Sequence, residues 1–273
     1  MGKIHEALRR AEEQRALLVG DAGEKPSVRD RLSEPEPIRE AGSRTLGRSV
    51  RDARRARVVL SDADQGIAEH YRALRARLES IRRTRTFRSL VVMSARSDEG
   101  KTTTAVNLAL CYGLSFDEDS CLVDADLRTP DVEQSLPEQG GAGLVDVLED
   151  RATLDEALVQ FPETRLSVLA ARSIAERPSE LLASQKMVEL MRELHARFPI
   201  VIVDALPILG LPDTTTLVDV CDAAVLVMAA RQNSPAEVER ALDRVDRSKV
   251  LGIVFNKSDD VPVPYGYGYD PER

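Results

Sequence analysis

The segment Ser94-Ala95-Arg96-Ser97-Asp98-Glu99-Gly100-Lys101-Thr102-Thr103 concentrates residue types suited to holding phosphate. It lies between an apolar run at 89–94 and a helical pattern at 101–114, where a loop presents its backbone N–H groups to an anion. The dipole of the following helix strengthens that attraction. Lys101 is placed to reach the β- and γ-phosphates of a nucleoside triphosphate, and the Thr102 hydroxyl to coordinate Mg2+. The loop departs from the G-x-x-x-x-G-K-S/T pattern at one point, with Ala95 at the first glycine. Only six of the 38 basic residues are lysines, so a lysine at this position is not a consequence of composition.

Carboxylates are the second chemical signal. One apolar run ends in Asp124-Ala125-Asp126-Leu127-Arg128, and another ends in Asp204-Ala205-Leu206-Pro207. An acid at the end of a buried strand is costly unless something satisfies it. One such aspartate alone would read as a helix cap. Three of them, beside a phosphate loop, point to metal binding and activation of a nucleophile, with either of Asp124 and Asp126 able to take either role. Arg128 either stabilises phosphate charge or pairs with a carboxylate. A further run ends in Asn256-Lys257-Ser258-Asp259, the pattern with which GTPases read guanine. An asparagine at that point also suits adenine, so ATP and GTP both remain open.

These residues need a scaffold that brings strand ends together. Apolar runs at 89–94, 120–124, 166–170, 199–204, 223–229 and 250–256 alternate with helical patterns at 101–114, 179–197, 213–219 and 235–246, after a first helix at 64–83. Short, nearly continuous apolar strands separated by helices predict an α/β fold, a mostly parallel sheet covered on both faces by helices. Such sheets bind ligands at the carboxyl ends of their strands.

Outside this core, residues 3–18 form an amphipathic pattern, with Ile4, Leu8, Ala11 and Leu18 on one face. It reads equally as a loosely docked helix and as a docking element for a partner. Residues 20–60 are rich in Gly, Pro and charge, as in a linker. A basic stretch from Arg44 to Arg57 could touch an anionic surface, although a solvated linker is the simpler reading. The chain therefore divides into an N-terminal helix and linker (1–60), a P-loop domain (61–260) and a tail (261–273). The tail reads Pro264-Tyr265-Gly266-Tyr267-Gly268-Tyr269-Asp270 and places three of the five tyrosines within five residues. A core has no use for aromatics so arranged.

The 273 residues carry a formal charge of −8, which argues against a general nucleic-acid binder. No apolar run approaches the roughly eighteen residues of a membrane span, and MGKIHEALRR lacks the apolar core of a secretory signal. Cys111, Cys121 and Cys221 are far apart and lack metal or disulfide spacing. Together these features predict a cytoplasmic protein.

From residue 64 to about 270 the chain resembles the bacterial tyrosine kinases, P-loop autokinases of capsule and exopolysaccharide systems. The resemblance rests on the loop Ala95–Thr102, on Cys121-Leu122-Val123-Asp124-Ala125-Asp126-Leu127-Arg128, and on Val201-Ile202-Val203-Asp204-Ala205. It extends to Arg177-Pro178-Ser179-Glu180-Leu181-Leu182, where the family usually has Asn at the first position, and to Asp204-Ala205-Leu206-Pro207, where it usually has D-x-P-P. It implies a P-loop fold of the partition-ATPase-like class. It also implies ATP and Mg2+ as cofactors, with nucleotide held by Ala95, Arg96, Ser97, Asp98, Glu99, Gly100, Lys101, Thr102, Thr103 and Asn256. Catalysis would rest on Lys101, Asp124, Asp126, Arg128 and Asp204, with metal at Thr102, Asp126 and Asp204. Glu69, Arg72 and Arg75 form E-x-x-R-x-x-R, otherwise a solvated helical face; the resemblance places them at the subunit interface of a homo-oligomeric ring. Tyr265, Tyr267 and Tyr269 would be the phosphoacceptors, modified in trans. The resemblance further implies a transmembrane activator of the polysaccharide co-polymerase type, which would recruit the chain to the inner face of the plasma membrane. A second reading is a partition or positioning ATPase that acts by nucleotide-dependent dimerisation. Such proteins carry a second lysine five residues before the P-loop lysine, where this chain has Arg96.

Overall fold

A computed structural model describes residues 58–60, 65–115, 118–135 and 141–258. The expected helix at 3–18, the basic linker, Asp259 and the three tail tyrosines lie outside the described residues. Seven strands, β1 (Ser89–Ser94), β2 (Ser120–Asp124), β3 (Val159–Gln160), β4 (Leu166–Leu169), β5 (Ile200–Pro207), β6 (Ala223–Ala229) and β7 (Val250–Asn256), form one sheet in the order β3-β4-β2-β5-β1-β6-β7. Every pairing is parallel except β3 with β4. The chain order reverses around β1, which lies between β5 and β6, so a crevice opens at its carboxyl end.

Alternating side chains of each strand are buried on opposite faces. Leu90, Val92, Leu122, Ile200, Ile202, Val225 and Val227 pack with Ala105, Leu108 and Ala109 of α2 (Lys101–Gly113), and α1 (Gln65–Arg82) rests on α2. The intervening Val91, Met93, Val123, Val201, Val203 and Leu226 are also buried. On β5 and β1 they meet α6 (Gln185–Arg197) and α7 (Asp213–Val220). Each such fully buried aliphatic side chain contributes about 1.5–3 kcal/mol. That burial anchors the strand ends from which the site residues emerge.

Three expectations are corrected. The strand expected to end at Asp204 runs on to Pro207, because β5 carries one extra residue opposite β1: Val92 pairs with Asp204, whereas Ser94 pairs with Pro207. This bulge leaves Asp204 within the strand, beside β1. The single helix expected at 179–197 is two, α5 (Pro178–Leu182) and α6. Ser184 takes an extended conformation between them, and its hydroxyl accepts a hydrogen bond from Met187 N, so a side-chain cap restarts the helix. The helix expected at 235–246 ends at Leu242, as α8 (Pro235–Leu242). The short elements α3 (Leu144–Leu148), α4 (Leu154–Ala157) and β3 were not anticipated, since the two to five residues of each are too few to show a period.

Candidate active site

The phosphate loop follows β1 directly. Asp98 and Gly100 both have positive φ, 63° and 92°, alternating the backbone into an anion-binding concavity. At Gly100 a side chain is barred on two counts: the left-handed φ, and an Asn256 Nδ2 that would lie 2.0 Å from a Cβ. Glu99, almost fully buried, closes the loop by accepting from Arg96 N at 2.7 Å. Ser94 Oγ donates to Arg96 O at 2.7 Å. The loop then enters α2, whose first turn holds Lys101, Thr102 and Thr103.

Lys101 Nζ points at the carboxylates. It lies 3.2 Å from Asp126 Oδ2, 3.1 Å from Thr102 Oγ1 and 3.9 Å from Asp204 Oδ2. Burial works against its charge, yet Asp204, Asp126 and Asp124 outweigh it and hold the ammonium above its ordinary pKa. Sheet register accounts for the convergence: Asp124 on β2 pairs directly with Asp204 on β5. Burial first, then Asp204 and Asp126, pushes Asp124 well above the carboxylate range, although N–H groups of Val132 and Asp126 oppose the rise. Those groups donate to its two oxygens at 3.2 Å each. Asp126 accepts from Thr129 N at 2.9 Å and Thr129 Oγ1 at 3.1 Å. Asp204 is raised to about 6, by burial first, with Lys101 and the neighbouring Thr102 hydroxyl pulling down. Neither of its oxygens completes a hydrogen bond of normal geometry.

A buried carboxylate with open lone pairs, next to a threonine hydroxyl, is a donor set for a hard cation. Among the described residues no three His, Cys, Asp or Glu side chains form a closed metal cage. Mg2+ takes one or two carboxylates and completes its shell with water and phosphate; Thr102, Asp126 and Asp204 are the residues that would hold it.

The other expected residues fall in three places. Arg128 pairs with a carboxylate: its Nε donates to Asp213 Oδ2 at 2.9 Å and Nη2 donates to Ser179 Oγ at 3.0 Å, while Ser179 donates to Asp213 Oδ1. This triangle joins the loop after β2 to the starts of α5 and α7. Asn256 and Lys257 lie against the phosphate loop, donating to Glu99 O and Asp98 O. On α1, Glu69 and Arg72 are exposed and pair at 3.0 Å, whereas the Arg75 guanidinium sits over the Tyr112 ring, 5.9 Å from its centroid. Sequence reasoning missed Thr129, Asp213 and Glu237, the last paired with Arg96. Asp213 and Glu237 stand in first turns of helices, where an acid is ordinary.

No family model matches the chain. The tyrosine-protein kinase YwqD of Bacillus subtilis (strain 168) is 34% identical over 203 residues, 73% of this chain and 85% of YwqD. The kinase domain of the Escherichia coli tyrosine kinase ETK superposes with a TM-score of 0.67 at 25% identity, covering 74% of this chain and 80% of that domain. The septum site-determining protein MinD of Pyrococcus horikoshii, solved with Mg-ADP, shares the fold at a TM-score of 0.53 and 20% identity, over 64% of this chain and 74% of its own. Phosphate loop, paired carboxylates and kinship agree: this chain belongs to the bacterial tyrosine-protein kinases.

Proposed function

We propose that the chain is an ATP-dependent protein-tyrosine autokinase that phosphorylates Tyr265, Tyr267 and Tyr269 of a neighbouring copy in a homo-oligomeric ring, in the service of capsule or exopolysaccharide synthesis or export. The convergence of Lys101, Asp126 and Asp204 at the end of the phosphate loop carries this reading. Lys101, held protonated, neutralises charge on the transferring phosphoryl group. Thr102, Asp204 and Asp126 would hold Mg2+, which supplies Lewis-acid stabilisation of the phosphate oxygens when bound. A tyrosine hydroxyl, with an unperturbed pKa near ~10, needs help to attack at neutral pH. Its oxygen attacks the γ-phosphorus, the bond from that phosphorus to the ADP oxygen breaks, and the proton passes to a carboxylate. That carboxylate would come from the Asp124/Asp126 pair. Asp124, whose affinity for a proton is raised by burial first, is fully enclosed with both oxygens accepting backbone N–H groups, so it would take the proton through a neighbouring group. The exposed Glu69–Arg72 face of α1 would supply the ring contact. A transmembrane co-polymerase-type activator would bring the chain to the membrane; among the described residues no helix is long and apolar enough to cross one.

Mass spectrometry of the full chain after incubation with Mg·ATP, beside Lys101→Met, Tyr265/Tyr267/Tyr269→Phe and a parallel GTP reaction, tests this reading. Phosphate on the tail tyrosines, lost in Lys101→Met, is the expected result. Its absence with the activator's cytoplasmic segment present would remove the autokinase.

A further inference from the structure

Asn256 ends β7 and Lys257 follows it, on the side of β1 opposite to β5 and β2, which carry or lead into the carboxylates. An asparagine in this position invites the reading that it selects the base. The geometry points to a different role: we propose that Asn256 and Lys257 are positioning residues for the triphosphate, acting through the backbone of the phosphate loop. The inference rests on the nucleotide site proposed above.

Asn256 Nδ2 donates to Glu99 O at 2.9 Å, and Lys257 Nζ donates to Asp98 O. These are consecutive peptide carbonyls of the loop. In a trans peptide the C=O and the next N–H point in opposite directions. Holding the Asp98 and Glu99 carbonyls toward β7 therefore turns the Glu99 and Gly100 N–H groups away from it, into the concave side of the loop. Those N–H groups form part of the anion cradle. The flanking residues Asp98 and Gly100 have the positive φ values that this arrangement requires, conformations that are costly unless their surroundings hold them. β7 makes a firm anchor because it pairs with β6 along its length, and Ala230 N donates to Asn256 O at 2.8 Å. The contact at Gly100 is close enough that the Asn256 amide occupies the space a Cβ would fill. The asparagine thus fits against the loop backbone, with one of its two amide N–H donors engaged there.

A residue that reads the base and one that sets the phosphate cradle respond differently to a change of ligand. Mg2+ complexes of ATP, GTP and inorganic tripolyphosphate serve as probes, with affinities measured by calorimetry on the full chain. Asn256→Ala, which removes one hydrogen bond to the loop, should weaken all three by the same factor, about tenfold. Lys257→Met should do the same to a smaller extent, and Lys257→Arg, which keeps a donor, should recover most of the loss. Lys257 is exposed, so its variants report even if Asn256→Ala does not fold. A loss confined to one nucleotide, with tripolyphosphate unaffected, would assign Asn256 to the base and overturn the proposal. Unchanged affinity for all three probes in both variants would also overturn it. If the unaltered chain binds none of the probes, the nucleotide site itself fails, a separate outcome.

Discussion

Asp204 is wholly enclosed, and burial raises its carboxyl to about 6, roughly two units above an ordinary aspartate near ~3.9. A carboxyl raised on folding binds its proton more tightly in the native state than in the unfolded chain. Below the unfolded pKa both states are protonated and nothing is lost. Between about 4 and about 6 the unfolded chain ionises first, so stability falls as pH rises. Above the native pKa the deficit is constant, about 3 kcal/mol for two units, and at pH 5 it is about half that. Asp204→Asn carries no charge at any pH. Its stability relative to the unaltered chain should therefore rise by about 1–2 kcal/mol between pH 5 and pH 8. The cost of burying the amide is independent of pH and drops out of that change. Asp124 acts in the same direction, since Asp204 is among the groups that raise it. Urea unfolding of both proteins at pH 5, 6, 7 and 8, with EDTA and without nucleotide, measures the quantity. A difference that stays flat across the series, or that narrows toward pH 8, would refute the claim that Lys101 compensates the buried charge at this position only in part.

Other expectations follow from the same geometry. Arg128→Met leaves the fully buried Asp213 without its cationic partner, with only the Ser179 hydroxyl still donating to it, and should cost about 3 kcal/mol, whereas Ser179→Ala should cost about 1 kcal/mol; urea titrations at pH 7 distinguish these from two equal, small effects. Ser184→Ala removes the cap of α6 and should lower stability by about 1 kcal/mol, with no change in nucleotide affinity by calorimetry. If Asp124 receives the tyrosyl proton, kcat/KM falls as pH drops through its raised pKa. The acid limb should then lie well above the ~4 of an ordinary carboxylate, and a rate profile with its limb at that ordinary value would exclude Asp124 from the role.

What the sequence revealed follows from the range of the forces involved. The P-loop, Asp124, Asp126 and Asp204 were legible because a strand, a turn and a helix N-terminus leave local marks. The order of strands supplied the rest: it sets Asp124 opposite Asp204, a relation between residues eighty positions apart that no local pattern encodes. The tie between Arg128, Ser179 and Asp213 is equally non-local, spanning 51 and 85 positions. Arg128 alone therefore left two roles open, and the structure gives it a carboxylate. The bulge in β5 was not legible because Asp204 breaks the apolar run and Pro207 looks like the start of a loop, whereas Pro207 is the last residue of the bulged strand. The break at Ser184 did carry a mark, a serine before a helical pattern, which the apolar periodicity on either side obscured.

A shared core does not separate a kinase from a partition-type ATPase, because both need a cradle for phosphate and carboxylates beside it. The MinD fold match and the carboxylate geometry are compatible with either activity. The difference has to lie in what meets a second chain. Partition-type ATPases place a lysine at the position of Arg96. Here the Arg96 guanidinium is tied to Glu237 of its own chain. That carboxylate is itself fixed: Glu237 Oε2 accepts from Ser234 N at 2.8 Å and Ser234 Oγ at 3.0 Å, completing the cap of α8, while Oε1 takes the arginine. The pairing also neutralises a charge at the rim of the phosphate loop. Residues at the end of β7 and on α8 thus both contact the phosphate loop. On the autokinase reading proposed above, what a neighbouring copy has to bring to this loop is an acceptor tyrosine.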